Sequence, residues 1–243
     1  MRRSPLLLLP TALASAAIAV AAGGGSVQTT LTPDSVSAPS KVTVNARGPF
    51  SSAGGLPKSV KLQVQKGFKS SAKSVPVLCS AKQENSGDCP SKSKVGSGTA
   101  KVTGQYSVFG PEQDTIHLTF YLGAPRHSGD IASVAVVGTD TLFNQTAHAV
   151  GRLFVPSAGG LELLFSRLPP VQVPSGTKVT VNSLSLSAHA FRTVTTGPPG
   201  DRHTVHYSLI TNPPTCSGHW TGTLTVTFTS GSLSRSLSAA CTS

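Results

Sequence analysis

In the stretch TIHLTFYL, Ile116, Leu118, Phe120 and Leu122 alternate strictly with Thr115, His117, Thr119 and Tyr121. Only a backbone with a two-residue side-chain period sorts these residues onto one apolar and one wet face, so the segment reads as a half-buried β-strand. VKLQVQ repeats the pattern with Val60, Leu62 and Val64 against Lys61, Gln63 and Gln65, and TLTVTF does so with Leu224, Val226 and Phe228 against threonines. In KVTVNSLSLSAHA the apolar phase runs through Val179 and Val181, then Leu184, Leu186 and Ala188. That slip of one residue at Asn182 and Ser183 predicts a β-bulge, which returns both halves to the same face.

Further strands are expected at Lys41 to Ala46, Thr99 to Gln105, Ala132 to Gly138, Ala147 to Val155, Thr204 to Ile210 and Leu233 to Ala240. LELLFSRL is ambiguous: Leu161, Leu164, Phe165 and Leu168 stand at helical spacing, while Leu161, Leu163 and Phe165 alternate, and it is read as a strand. Good helix formers are sparse, and Ser, Thr, Val and Gly are abundant. The chain therefore reads as all-β, with about ten or eleven antiparallel strands packed as a two-sheet β-sandwich; two smaller tandem sandwiches divided near Gly104 are the alternative. A single sandwich domain would span 41–243, preceded by a flexible segment at 23–40. The Gly-rich start, GPFSSAGGLP and TTGPPGD are expected to be disordered.

The N-terminus, MRRSPLLLLPTALASAAIAVAAGGGS, joins a short basic start to an apolar run ending in small residues. This is the form of a secretory signal peptide over residues 1–22, with Ala19 and Ala21 in small-x-small arrangement before a mature start near Ala22 or Gly23. A retained membrane anchor is the alternative reading. No later segment is apolar for long enough to span a membrane as a helix, so the mature chain is expected to be secreted and soluble, without stable membrane insertion. Cys79, Cys89, Cys216 and Cys241 then form an even set in an oxidising compartment, which predicts two disulfides. Three pairings are open; Cys79 with Cys89 and Cys216 with Cys241 is favoured, because each pair brackets a short, turn-rich segment. A four-cysteine zinc site lacks any C-x-x-C unit to build on.

Two cysteine-bearing segments carry a resemblance. LCSAKQENSGDCPSKSKVGSGTAKV and NPPTCSGHWTGTLTVTFTSGSLSRSLSAAC resemble the corresponding parts of functionally uncharacterised β-sandwich proteins secreted by high-GC Gram-positive bacteria. The first shares a Cys, a short loop, Cys-Pro with Ser, and a Val-Gly before a small-residue strand; the second shares an aromatic before a strand, a Gly turn and a terminal Cys. The resemblance covers about a quarter of the chain. It implies export, a β-sandwich and the two local disulfides, and it carries no catalytic residues to transfer.

Candidate catalytic groups are few. Of nine acidic residues, Glu112 and Asp114 in GPEQD form the closest same-parity pair, in what reads as a solvated turn. His203 and His206 in RHTVHY lie three apart, which in a strand sends them to opposite faces. No G-x-S-x-G elbow occurs, and Gly96 and Gly98 in KVGSGTAK lack the strand-to-helix setting of a phosphate-cradling loop. Asp130 in HSGD and Asp140 in GTDT could each supply one calcium ligand, but neither belongs to a recognised calcium loop, and turn chemistry accounts for both. Trp220, four residues after Cys216, is expected to pack on the C-terminal disulfide rather than to offer a sugar-stacking platform. No cofactor or metal is implied.

Charge supplies the remaining signal. Beyond the signal peptide the chain carries eighteen Lys and Arg against nine Asp and Glu. The stretch from Lys58 to Lys101 holds nine lysines against Glu84 and Asp88, and so contributes +7 of the net +9. Within it, a Lys-rich disulfide loop at 66–98 places Lys66, Lys69, Lys73, Lys82, Lys92 and Lys94 around the first cysteine pair. Those lysines are expected either to solubilise the chain or to contact an anionic cell-wall polymer or another envelope component. The missing aromatic interleaving and the extracellular setting argue against nucleic acid. Turns at Ser86, Gly87 and Pro90, with the covalent link, are expected to order this polar loop. The function expected is that of a secreted non-enzymatic binding or structural protein; a hydrolase whose site is assembled from dispersed residues is the alternative.

Overall fold

The computed structural model describes residues 26–51, 57–106, 110–141, 145–168, 178–228 and 231–243. The expected signal peptide lies outside the described residues. Thirteen strands are present among those described: β1 (Ser26–Thr32), β2 (Lys41–Ser51), β3 (Pro57–Val64), β4 (Lys94–Tyr106), β5 (Gly110–Gly123), β6 (Asp130–Asp140), β7 (Thr146–Phe154), β8 (Leu161–Phe165), β9 (Lys178–Ala188), β10 (Phe191–Thr196), β11 (His203–Ser208), β12 (His219–Phe228) and β13 (Gly231–Ala240). One short helix, α1 (Ala81–Ser86), lies between β3 and β4.

Eleven strands form one continuous antiparallel sheet in the order β1-β2-β9-β4-β5-β6-β7-β8-β3-β12-β13, and β10 pairs with β11 in a separate ribbon. The all-β, antiparallel expectation holds. The arrangement differs from two stacked sheets: the single sheet rolls until its edge strands β1 and β13 run side by side, giving a nearly closed barrel. Division near Gly104 does not describe this topology, since that residue lies inside β4 and β9 inserts between β2 and β4. Closure is incomplete. The edges are tied just beyond the strands, where Thr242 N–H donates to the Asp34 carbonyl at 2.9 Å and Val36 N–H to the Thr242 carbonyl at 3.1 Å. Among the described residues no ladder joins β1 to β13, leaving a seam along their length.

Because sheet neighbours are antiparallel, the connections alternate between the two ends of the barrel. The links β1–β2, β3–β4, β5–β6 and β7–β8 gather at one end, with the β10–β11 ribbon and both disulfides. This is called the upper end. Towards the lower end, Ala46, Val60, Ala100, Val102, Ile116 and Val181 point inward and are buried. The bulge predicted in β9 is present: Ser183 pairs with Lys101 and Val181 with Val102, so Asn182 has no opposite residue in β4. Its amide donates to Thr103 Oγ1 at 2.8 Å, and Val181 and Leu184 both reach the core. LELLF is a strand, β8.

Two elements were not foreseen. SVQTTLT, read as part of a flexible segment, forms β1, with Val27, Thr29 and Leu31 facing in and Ser26, Gln28, Thr30 and Thr32 facing out. FRTVTT forms β10, so Thr195 and Thr196 of the TTGPPGD stretch are paired strand residues, and the bends and turns of the following GPPGD lead to its hairpin partner β11. Gly48 to Ser51 of GPFSSAGGLP continue β2, whereas 52–56 lie outside the described residues.

Candidate functional site

CSAKQENSGDC is built around α1. Ser80 and Gln83 form a reciprocal capping box, in which Ser80 Oγ accepts from the Gln83 N–H at 3.4 Å and Gln83 Oε1 accepts from the Ser80 N–H at 3.1 Å. Gly87 ends the helix in the left-handed conformation, φ 79°, which glycine adopts without a Cβ penalty. Cys79 and Cys89 are bonded, with Cα atoms 5.2 Å apart, and Ser91–Ser93 follow as a 3-10 turn. Of the turns expected, Gly87 makes one as the helix C-cap and Pro90 caps the 3-10 turn, whereas Ser86 is the last residue of α1; none of these is what fastens the segment to the barrel.

That fastening is a buried ion pair. Glu84, fully buried on an otherwise polar helix, receives Arg126 Nε at 2.8 Å and Nη2 at 2.5 Å on Oε2, while Ser133 Oγ lies 2.5 Å from Oε1. Arg126 also reaches Asn85 Oδ1 at 3.2 Å. The carboxylate fills the space over Gly123, where a Cβ would overlap both Glu84 and Ser133 Oγ. On the main chain, Cys79 N–H donates to the Leu122 carbonyl at 2.9 Å and Ala124 N–H to the Cys79 carbonyl at 3.1 Å. The disulfide segment is therefore docked on the outer wall of β5, β6 and β7, not extended into solvent. This explains the continuous burial of Ala132 to Val136 in β6, a strand covered on both faces.

Lys66, Lys69, Lys73, Lys82, Lys92 and Lys94 are all exposed, and all belong to the β3–β4 connection or the first residue of β4. The connection leaves and returns at the upper end, which places Lys66, Lys69, Lys73 and Lys94 there, while Lys82 and Lys92 belong to the segment docked on the outer wall. None of them makes an ion pair among the described residues; Lys73 lies over the Tyr207 ring, 5.3 Å from its centroid. Of the two acids in the same segment, Glu84 is engaged by Arg126, and Asp88 is exposed. Lys94 also borders an open groove of about 470 Å³ on the outer wall, lined by hydroxyls of Ser97, Thr99, Thr119 and Ser185 and by His117.

The other residues singled out in the sequence take structural places. Glu112 and Asp114 lie in β5 rather than in a turn, and Asp114 accepts from the Thr141 hydroxyl at 3.0 Å. Asp130 receives Arg152 Nε and Nη2 at 2.9 and 2.7 Å and the His127 N–H at 3.0 Å. Burial alone pushes its carboxyl upward, but the hydrogen bonds from Arg152 and His127 and the guanidinium charge outweigh this and hold it below the ordinary value. His127 Nδ1 stands 3.2 Å from the same carboxylate. Asp140 is buried at the end of β6. His203 pairs with Thr196 and His206 with Thr193 across the β10–β11 ribbon, at 2.9 and 3.1 Å. Gly96 and Gly98 lie in β4, where a Cβ would strike the Ser187 and Ser185 carbonyls, so they serve close strand approach. Among the described residues no group of three His, Cys, Asp or Glu is placed to hold a metal.

The second disulfide joins Cys216 to Cys241, as the favoured pairing expected, with Cα atoms 5.9 Å apart. Trp220 is buried beside it in a cluster with Cys241, Phe68 and Leu31. Its indole meets Phe68 edge-on at 5.6 Å and donates Nε1–H to the Thr215 carbonyl at 2.9 Å. At 2% exposure the indole presents no solvent-facing platform for sugar stacking. Two disulfides are characteristic of oxidising, extracytoplasmic compartments, and no described helix is long and apolar enough to cross a membrane.

Comparison with known families, curated proteins and solved structures gives no match for this chain.

Proposed function

We propose that this chain is an exported, non-enzymatic binding protein of the cell envelope or extracellular space, which contacts anionic polymer through the lysines of its β3–β4 connection. One observation carries the reading: the β3–β4 connection and the first residue of β4 present six exposed lysines against one exposed acid, Asp88, while Glu84 is buried and paired with Arg126. The resemblance of the two cysteine segments to exported proteins of high-GC Gram-positive bacteria supports the same reading.

Lysines act here as point charges with little geometric selectivity, so phosphate- and carboxylate-bearing polymers both satisfy them. Binding is multivalent and screened by salt, because exposed charges lose their reach beyond about 8 Å at physiological ionic strength. The test is retention on an immobilised polyphosphate column at low and high salt. The native protein is expected to be held at low salt and released at high salt, and a variant with Lys69, Lys73, Lys82, Lys92 and Lys94 changed to Gln is expected to flow through at both. Equal retention of the two proteins, or of neither, rejects the reading.

A further inference from the structure

The barrel interior is unevenly filled. Val42 and Val44 share the inward phase of buried Ala46, and Leu62 and Val64 that of buried Val60, yet all four are only half-buried. Their exposed surface faces a cavity of about 210 Å³ in the upper half of the barrel, walled also by Leu163 and Leu186 and capped by Leu209 and Ile210. For comparison, an engineered aliphatic cavity of about 150 Å³ admits benzene. A second cavity of about 120 Å³ shares Val42, Val44, Leu62, Val64 and Ile210 with the first and extends to the seam, where Leu31 of β1 faces Leu237 and Ala239 of β13. The two spaces form one apolar path from the interior to the unpaired edges.

Polar groups along this path stand only at particular points. Thr29, Thr221 and Ser238 line the seam cavity, and Thr29 Oγ1 is buried with no hydrogen-bond partner among the described residues. A buried hydroxyl without a partner costs stability that a ligand able to bond to it returns. No charged side chain lines either cavity, so an ionised headgroup would be desolvated there without compensation.

We infer that the barrel is a binding site for an uncharged single-chain amphiphile, an aliphatic alcohol or ester, whose chain occupies the Val42/Val44/Leu62/Val64 cavity and whose polar head lies at the β1–β13 seam beside Thr29. The occupant passes between the edge strands, where no ladder has to break. This site is separate from the lysines: the chain is recognised by apolar contact, and its binding is insensitive to salt.

The chain's single tryptophan reports on it directly, because Trp220 lines the seam cavity. Titration of the intact protein with 1-alkanols from hexanol to hexadecanol is expected to shift Trp220 emission. Affinity should rise about fourfold per added methylene, the increment for burying each CH₂, and level off once the chain fills the path. Decanol is expected to bind at least about tenfold more tightly than decanoate, since an unpaired buried carboxylate is penalised far more than a hydroxyl. Val44→Phe, which fills the junction of the two cavities, abolishes the emission change if it folds; the chain-length series on the native protein decides the question if it does not. Emission unchanged up to the solubility of each alcohol, affinity independent of chain length, or decanoate binding as tightly as decanol overturns the inference.

Discussion

Arg126→Ala is expected to lower the unfolding free energy by about 3 kcal/mol, the scale found when a buried ion pair loses one partner. The size follows from what remains. Glu84 is buried with its side chain 1% exposed, so without the guanidinium its carboxylate keeps only the Ser133 hydroxyl as a side-chain partner beneath α1. Replacing both partners with methionine is expected to restore most of the loss, because the pair then vanishes along with its desolvation cost. Urea unfolding midpoints for the native, single and double variants measure this. A loss under about 1 kcal/mol for Arg126→Ala would mean that the Cys79–Cys89 segment is held by its covalent link and main-chain hydrogen bonds alone.

Trp220→Ala is expected to cost about 3–5 kcal/mol, the range for emptying a buried aromatic site. It removes the edge contact with Phe68 and leaves the Thr215 carbonyl without its donor. Trp220→Phe keeps most of the apolar contact and loses the hydrogen bond, so its cost is expected to fall to about 1–2 kcal/mol. Thermal unfolding followed in the far ultraviolet provides the comparison. Two equal losses would show that the indole's hydrogen bond to Thr215, rather than its bulk, carries the stabilisation.

Strand character was legible wherever one face is wet, as in TIHLTFYL, because alternation is a local property of the chain. The bulge at Asn182 was legible for the same reason, through its break in phase. The barrel was not. Placing β9 between β2 and β4, and β3 between β8 and β12, depends on pairings between distant segments, which no local pattern records. β1 carries a signal of its own in SVQTTLT, where Val27, Thr29 and Leu31 alternate with Ser26, Gln28, Thr30 and Thr32, but with two apolar residues beside a Gly-rich stretch that alternation is too weak to mark a strand.

At the candidate site, cysteine spacing was sufficient to favour the observed pairs, and the lysine density was plain in the composition. The docking of that segment was hidden, because Glu84 finds its partner 42 residues away and nothing in AKQENS marks it as the buried residue. A partial sign existed in ASVAV: an unbroken run of small and apolar residues is how a strand covered on both faces reads, and Ser133 and Ala135 are the positions the docked segment covers.

Lysine footprinting tests the functional account most directly. Reductive dimethylation of the native protein, with and without polyphosphate at low salt, followed by peptide mass spectrometry, reports the accessibility of each amine. The account predicts that polyphosphate protects Lys69, Lys73, Lys82, Lys92 and Lys94 around the β3–β4 connection, and leaves Lys58 and Lys101, towards the lower end of β3 and β4, labelled as in the free protein. Equal protection of all lysines, or protection of none, would contradict it.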